Sequence, residues 1–149
     1  MTATPEFVEL QHNTPEYRQT LWLRQTVLRE PLGLTLTDDD LATEDRERHF
    51  ALLDGPRLIG CVVAKPLGPA EWKLRQMAVA EAYRGQGHGR RLVKGVLGAL
   101  AAGGAGQVSL HARANAVGFY ERIGFEIAGE ELVEVGVPHR RMVMLLKSA

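Results

Sequence analysis

A glycine-rich loop flanked by arginines is the part of this sequence best suited to bind an anion. It lies within residues 76–92, between an apolar strand and a helix that are both predicted from side-chain pattern. The first N–H groups of a helix have no intrahelical partner, the helix dipole is positive there, and glycine lets a ligand approach the backbone closely. The loop therefore predicts a site for a phosphorylated ligand. The residues concerned are Gly85, Gly87 and Gly89 with Arg84, Arg90 and Arg91.

Composition limits the class of protein. The chain has 149 residues, of which 45% are apolar and 24% charged, and its formal net charge is zero. These values predict a single globular domain over residues 1–149, with no basic excess that would favour nucleic acid as a partner. No apolar run reaches the roughly 20 residues that cross a bilayer, and the first residues lack signal-peptide features. The only cysteine, Cys61, cannot form an internal disulfide, so we expect a reducing, cytoplasmic location.

The first half of the chain predicts a strand, two helices and a hairpin. Thr14 and Pro15 are typical of a helix start, and Pro31 is expected to end that helix. Acidic residues favour a short second helix because they lie at its positive end. The predicted segments are a strand over 6–11, helices over 15–30 and 38–46, strands over 49–53 and 57–64, and a turn over 65–70.

The second half begins with the strand that leads into the glycine loop. Residues 71–80 alternate in side-chain type, and the apolar second half of this segment suits a central strand. Beyond the loop we predict a helix over 87–102 and a strand over 108–112. Asn115 is the expected N-cap of a further helix, which Gly124 would end with a left-handed cap. A strand over 125–134, a turn at 136–138 and a strand over 140–147 complete the chain.

The resulting order is β-α-α-β-β-β-α-β-α-β-β. Helices placed between strands require crossover connections, so the predicted fold class is α/β with a mixed sheet and helices on both faces. No internal repeat or linker interrupts it.

Two motifs resemble those of the GNAT N-acetyltransferases. Arg84-x-x-Gly87-x-Gly89, placed after an apolar strand, is similar to the loop that binds the acetyl-CoA pyrophosphate, Q/R-x-x-G-x-G/A. Asn115, Tyr120 and the Gly124-Phe125 pair are similar to the region N-x-x-A-x-x-x-Y-x-x-x-G-F, with the small residue moved to Ala116. The resemblance covers the chain from about residue 49 onward. The segment Gly-Val-Pro-His-Arg-Arg-Met at 136–142 further resembles a small bacterial subgroup with a C-terminal G-I/V-P-H-x-x-M turn.

The resemblance implies the GNAT fold and acetyl-CoA as co-substrate, with no metal. Backbone N–H groups of the loop would hold the pyrophosphate, while the main chain beside the pantetheine arm would supply an oxyanion donor. Asn115 would hydrogen-bond the pantetheine arm, and Tyr120 would protonate the departing thiolate as general acid. The loop residues are Arg84, Gly85, Gln86, Gly87, His88, Gly89 and Arg90, and the strand residues are Met77, Ala78 and Val79.

The reaction also needs a base that removes the proton of the amine. His139 and His111 are equal candidates because histidine titrates near neutral pH, and Glu71 is a weaker one. His139 is expected in an exposed hairpin turn. Each histidine can instead be a structural residue, just as Tyr120 can be a core aromatic and Asn115 only a cap. Cys61 is expected in the core.

The acceptor stays open among small amines, amino acids, lysines and protein N-termini. Trp22 and Arg24 would line its pocket by resemblance, and the alternative is a core tryptophan and a surface arginine. The acids at 38–40 and 44–45 would either attract a cationic amine or form a solvated helix start. Neither nucleic acid nor membrane is an expected partner, and a homodimer remains open because superfamily members often dimerise.

Two other functions compete with N-acetyl transfer to a primary amine. One is a non-catalytic module on the same fold that binds or senses acyl-CoA, and Tyr120 argues against it because a binder needs no proton donor. The other is ATP binding, which the absence of a G-x-x-x-x-G-K-[ST] sequence disfavours.

Overall fold

The computed structural model describes residues 4–146 and confirms the predicted order of helices and strands. Short 3-10 or π turns are inserted at several of the connections. The elements are β1 (Glu6–Leu10), α1 (Pro15–Arg24), α2 (Asp38–Leu41), β2 (Arg48–Asp54), β3 (Arg57–Gly68), β4 (Glu71–Val79), α3 (His88–Ala102), β5 (Gln107–Arg113), α4 (Val117–Ile123), β6 (Glu126–Glu134) and β7 (Val137–Leu145).

The strands form one seven-stranded sheet in the order β1-β2-β3-β4-β5-β7-β6. The β4–β5 pair is parallel, whereas β1–β2, β2–β3, β5–β7 and β6–β7 are antiparallel. The predicted α/β class with a mixed sheet is therefore confirmed. Among residues 4–146, no helix is long and apolar enough to cross a membrane.

The chain divides into two compact units. One contains the residues up to Lys65 together with Gln76–Val96, and the other contains Pro66–Arg75 together with the residues from Leu97 onward. The single domain expected over residues 1–149 stays a prediction.

The first unit contains the N-terminal helix and the start of α3. Thr14 caps α1 as predicted, because its side chain accepts a hydrogen bond from the Tyr17 N–H at 3.2 Å. The helical path continues beyond α1 through a π turn and a 3-10 turn, and it closes at Gly33, whose φ is +70°. Pro31 lies inside that last turn. The predicted end of this helix was therefore two residues early.

The second unit is built on β5. Glu71–Leu74 of β4 pairs with Gln107–Leu110, and on its other side β5 pairs with β7 over its whole length. Gly124 follows α4 with φ +126° and donates to the Tyr120 carbonyl, so the predicted positive-φ cap is confirmed.

Three boundaries differ from the prediction. β3 continues to Gly68 through the segment that was expected to be a turn. Pro66 is tolerated there because the pairing of β3 with β2 ends at Ala64, so no N–H is needed toward that strand. The last hairpin turns at Val135 and Gly136, which both have positive φ, so Pro138 lies within β7. The second helix ends at Leu41 and is followed by a 3-10 turn, Glu44–Arg46. Lys147, the expected end of the last strand, lies outside the described residues.

Packing of α3 against β1 generates a paired prediction. A Cβ added to Gly95 would lie 2.6 Å from the Phe7 ring, whereas one added to Gly98 would meet nothing within 4 Å. Gly98→Ala should raise the free energy of unfolding by roughly 0.5–1 kcal/mol through helix propensity. Gly95→Ala should lower it by about 1–3 kcal/mol because the ring must move. Urea unfolding of both variants checks this, and equal effects would contradict the close packing of Gly95 on Phe7.

Candidate active site

The predicted anion loop lies in the first unit, between the end of β4 and the start of α3. Gly85 and Gly87 have φ of +75° and +82°, and a Cβ built on either would meet no atom within 4 Å. Both residues are exposed. The backbone N–H of Arg91 donates to the Gly87 carbonyl at 3.1 Å, the first i to i−4 hydrogen bond of the helix. The backbone N–H groups of the helical residues before Arg91 therefore have no partner within the helix. The loop thus presents open backbone and a helix N-terminus together, which fits a pyrophosphate.

Two side chains of the loop donate hydrogen bonds to the main chain that precedes it. Arg84 Nε donates to the Val79 carbonyl at 3.3 Å, and Gln86 Nε2 donates to the Ala82 carbonyl at the same distance. The buried Nδ1 of His88 has no hydrogen-bond partner among the described residues. Because the two long side chains are tied to the main chain, the loop's shape is set by its own hydrogen bonds.

The strand before the loop is not regular. Gln76 has φ +51°, a left-handed conformation that is uncommon for a residue with a side chain. It directly precedes Met77, Ala78 and Val79, of which Ala78 is buried and the other two are half-buried. The strict alternation predicted for this strand is therefore interrupted at Gln76.

A buried ion pair supports Gln76. Arg24 and Glu44 are both 0% exposed and form two hydrogen bonds, one of them Nη1 to Oε1 at 2.8 Å. Arg24 Nε donates to Gln76 Oε1 at 2.5 Å, and the Tyr17 hydroxyl donates to Glu44 Oε1 at 2.7 Å. Burial alone would lower the pKa of Arg24, but the hydrogen bond and charge of Glu44 outweigh it and raise that pKa. The guanidinium therefore stays charged inside the unit.

The second unit holds both candidate base histidines. In the β5–β7 register His111 faces Arg141, and Arg113 faces His139, so alternation places all four on one side of the strand pair. His111 Nδ1 contacts Glu134 Oε1, and the His111 side chain is 24% exposed. Since a carboxylate only accepts, a neutral His111 carries its proton on Nδ1 and leaves Nε2 free to take another.

His139 differs from its prediction. It lies in β7 rather than in a turn, and it is 5% exposed. Its Nδ1 lies 2.9 Å from the Val137 carbonyl, which fixes the proton on that nitrogen. The turn that was expected at 136–138 ends at Gly136, and pairing with β5 buries the histidine.

Tyr120 lies within α4, and Asn115 lies in the 3-10 turn that precedes this helix. Tyr120 is 9% exposed and packs edge-on against Phe119 and Phe125, with ring centroids 4.9 and 5.8 Å apart. Burial raises the pKa of Tyr120 to about 12, so the hydroxyl keeps its proton at neutral pH. Asn115 is exposed and lies in the 3-10 turn Ala114–Ala116, while the residue that caps α4 is Ala116. The predicted capping role of Asn115 is therefore wrong.

Comparisons with known proteins identify the family of the chain. The family described as "Acetyltransferase (GNAT) domain" matches residues 35–146. The chain belongs to the GNAT acetyltransferase family. It is 26% identical over 139 residues to the uncharacterized N-acetyltransferase YjcF of Bacillus subtilis (strain 168), covering 88% of this chain and 94% of that protein.

Two solved structures share the GNAT fold. Escherichia coli ElaA has a TM-score of 0.80 and 23% identity, covering 94% of this chain and 99% of that one. A GNAT family acetyltransferase from Elizabethkingia anophelis, solved with acetyl-CoA bound, has a TM-score of 0.71 and 20% identity, covering 96% of this chain and 99% of that one.

The site residues predicted from the sequence fall into two groups. The first unit brings together the strand residues Met77–Val79 and the loop residues 84–90. The second unit holds His111, Asn115, Tyr120 and His139. Glu71, the weaker base candidate, is exposed at the start of β4.

Glu44, Gln76 and Glu134 were not predicted as hydrogen-bond partners of the candidate site residues. The alternative of a core tryptophan and a surface arginine on α1 is reversed in the structure. Trp22 is 70% exposed and Arg24 is fully buried. One signal was available, because Arg24 falls on the apolar spacing of α1 that begins at Tyr17.

Trp22 lies on the rim of a cavity of about 410 Å³ inside the first unit. Its walls come from the helical run Trp22–Pro31, from Ala80–Ala82 between β4 and the anion loop, and from Arg84 at the start of that loop. Glu81 is its acidic wall residue. Glu44, which had been considered as an attractor for a cationic amine, is fully buried against Arg24 and does not serve that role.

Cys61 is buried beside Leu23 and Ala78, which confirms the core position predicted for it. Burial raises the pKa of its thiol to about 12, so it remains protonated and unreactive at neutral pH.

Burial of Tyr120 leads to a prediction about stability at alkaline pH. Because burial raises the pKa of Tyr120 to about 12, the folded state favours the neutral phenol. Its contribution is complete below the unfolded value of 10.0 and is lost as pH rises toward 12, by about 1.4 kcal/mol per pH unit. Urea unfolding at several alkaline pH values should therefore show that the free energy of unfolding of wild type falls relative to that of Tyr120→Phe across this interval. A constant difference would contradict the burial of the Tyr120 hydroxyl.

Proposed function

We propose that this protein is an N-acetyltransferase that transfers the acetyl group of acetyl-CoA to a primary amine by direct attack. The observation that carries the proposal is the anion loop. Two exposed glycines at positive φ, with open space above them, lead into the N-terminus of a 15-residue helix. The Elizabethkingia anophelis structure of the same fold was solved with acetyl-CoA bound, which supports this ligand.

Acetyl-CoA supplies an activated thioester. Residues 84–90 hold its pyrophosphate through backbone N–H groups, with Arg84 and Arg90 adding positive charge. The main chain of Met77–Val79 runs along the pantetheine arm and donates an N–H to the developing oxyanion. Asn115 donates its side-chain amide to the same arm.

Tyr120 is the general acid. Its hydroxyl keeps a proton that it can give to the sulfur as the thiolate departs, because burial raises the pKa of Tyr120 to about 12. This proton donor is the feature that separates an enzyme from a module that only binds acyl-CoA.

His111, oriented by Glu134, is the general base. Of the two histidines, it is the one with a partly exposed side chain and a carboxylate partner at Nδ1. The Glu134 contact holds the ring so that Nε2 takes the proton of the amine, and it stabilises the imidazolium that results. His139 is buried, so it is a weaker candidate for contact with the amine.

The central experiment measures thiol release from acetyl-CoA with a panel of primary amines. Wild type should release thiol in the presence of at least one amine, and Tyr120→Phe should lower kcat by about 100-fold, since general acid catalysis is worth that much. The affinity for CoA, measured by calorimetry, should stay within about threefold because phenylalanine keeps the ring. If wild type binds acetyl-CoA but releases no thiol beyond hydrolysis, the protein is a binding module instead.

A second prediction concerns the base. His111→Gln should lower kcat/KM by at least about 100-fold. Glu134→Gln should cause a smaller loss, because the ring keeps its place but loses the charge that stabilises the imidazolium. The measurement is kcat/KM for the best amine of the panel. A larger loss in His139→Gln than in His111→Gln would assign the base to His139.

A further inference from the structure

The strained residue Gln76 lies where the proposed reaction is most sensitive to backbone direction. It immediately precedes Met77–Val79, the segment proposed to present N–H groups to the cofactor. A φ of +51° on a residue with a Cβ is unfavourable and persists only where the surroundings enforce it. Changing this torsion alters the orientation of the peptide groups on either side of Gln76.

The side chain of Gln76 is held from one direction. Its Oε1 accepts from Arg24 Nε at 2.5 Å. That nitrogen can only donate, so the amide orientation of Gln76 is defined by the contact. Arg24 cannot move to a different partner without leaving Glu44, because both groups are fully buried and share two hydrogen bonds.

Glu44 is fixed in turn by its neighbours. Tyr17 donates its hydroxyl to Glu44 Oε1 at 2.7 Å, and His49 Nε2 lies 2.7 Å from the Glu44 backbone carbonyl. Tyr17 comes from α1, the helix that also carries Arg24, and His49 comes from β2, so Glu44 is held by two elements of the same unit. The chain of contacts runs from these elements through Glu44 and Arg24 to one side-chain oxygen of Gln76.

We propose that Arg24 and Glu44 are positioning residues for acetyl transfer: they hold Gln76 in its left-handed conformation and so aim the N–H groups of Met77–Val79 at the thioester. This role rests on the proposed function. Neither residue touches the reacting atoms, and their effect passes entirely through the backbone at Gln76.

Variants at position 76 separate the conformation from the hydrogen bond. Gln76→Ala and Gln76→Gly both remove the acceptor of Arg24 Nε, but only glycine adopts positive φ without strain. Gln76→Glu keeps an acceptor oxygen at the same place. We expect kcat for thiol release to fall about 10- to 100-fold in Gln76→Ala, less than the roughly 100- to 1,000-fold loss when an oxyanion donor is removed, because the N–H is only misaligned. The loss should be much smaller in the glycine and glutamate variants. The affinity for CoA, which lacks the thioester carbonyl, should change little in all three.

Arg24 is tested by a bypass. Arg24→Lys keeps the charge beside Glu44 but lacks the Nε donor, so it should lower kcat as Gln76→Ala does. Adding Gln76→Gly to Arg24→Lys should restore part of kcat, since glycine no longer needs the anchor. Gln19→Ala, at an exposed position of α1, is the matched control and should keep wild-type kinetics. All assays are run where circular dichroism shows each variant folded.

A purely structural role gives different results. In that case alanine would be no worse than glycine, the double variant would be worse than Arg24→Lys, and CoA affinity would fall in parallel with kcat. Any of these outcomes overturns the proposal.

An NMR measurement on the free protein distinguishes this failure from failure of the proposed function. The intraresidue HN–Hα NOE of residue 76 is strong at positive φ, so it should weaken in Gln76→Ala and in Arg24→Lys, with shifted amide resonances of Met77–Val79. Unchanged NOE and amide shifts would overturn the positioning role even if the protein is an active enzyme. A wild type that releases no thiol while the NOE changes as expected would overturn only the enzymatic function, and leave Arg24 as the residue that shapes this backbone.

Discussion

The buried ion pair between Arg24 and Glu44 is the constraint on which the first unit depends. Removing two charges from water is costly, and their attraction compensates only if the geometry is good and the other polar atoms are also bonded. The structure meets that condition with two direct hydrogen bonds, the Tyr17 hydroxyl on the carboxylate and the Gln76 amide on the guanidinium. Arg24 and Tyr17 lie on α1, Glu44 lies in a 3-10 turn and Gln76 lies in β4, so the hydrogen bonds of one ion pair hold these three elements together.

Local sequence patterns were enough to predict the order of elements and the anion loop. These features depend on interactions within a few residues, so short sequence patterns are sufficient to predict them. Examples are strand alternation, the helix start at Thr14–Pro15 and the positive-φ glycines at 85 and 87. The function proposed for the loop depends on backbone N–H groups, and a motif of glycines around a helix start specifies backbone rather than side-chain partners.

The features that were missed depend on residues far apart in the chain. Glu44 lies 20 positions from Arg24, and Gln76 lies 52 positions from it. His111 and Glu134 are 23 positions apart, and the carboxylate reaches the imidazole because β7 pairs with both of their strands, β5 and β6. His139 was expected to be exposed because its neighbours Gly136 and Pro138 suggest a turn, yet the turn ends one residue before β7 begins and strand pairing buries it.

Faces of one helix can carry separate tasks. Successive residues of α1 are about 100° apart, so Trp22 and Arg24 point to nearly opposite sides. Arg24 faces inward and holds the backbone at Gln76, while Trp22 is exposed at the rim of the cavity next to the anion loop. Substitution at Trp22 can therefore change what binds in the cavity without disturbing the contacts of Arg24. Such a division suits the proposed function, in which backbone N–H groups hold the cofactor and exposed side chains contact the acceptor. Under the proposed function, the acceptor is accordingly to be sought through the residues around Trp22 and through the partly exposed His111, and not through the glycine loop, whose sequence resembles the GNAT cofactor motif.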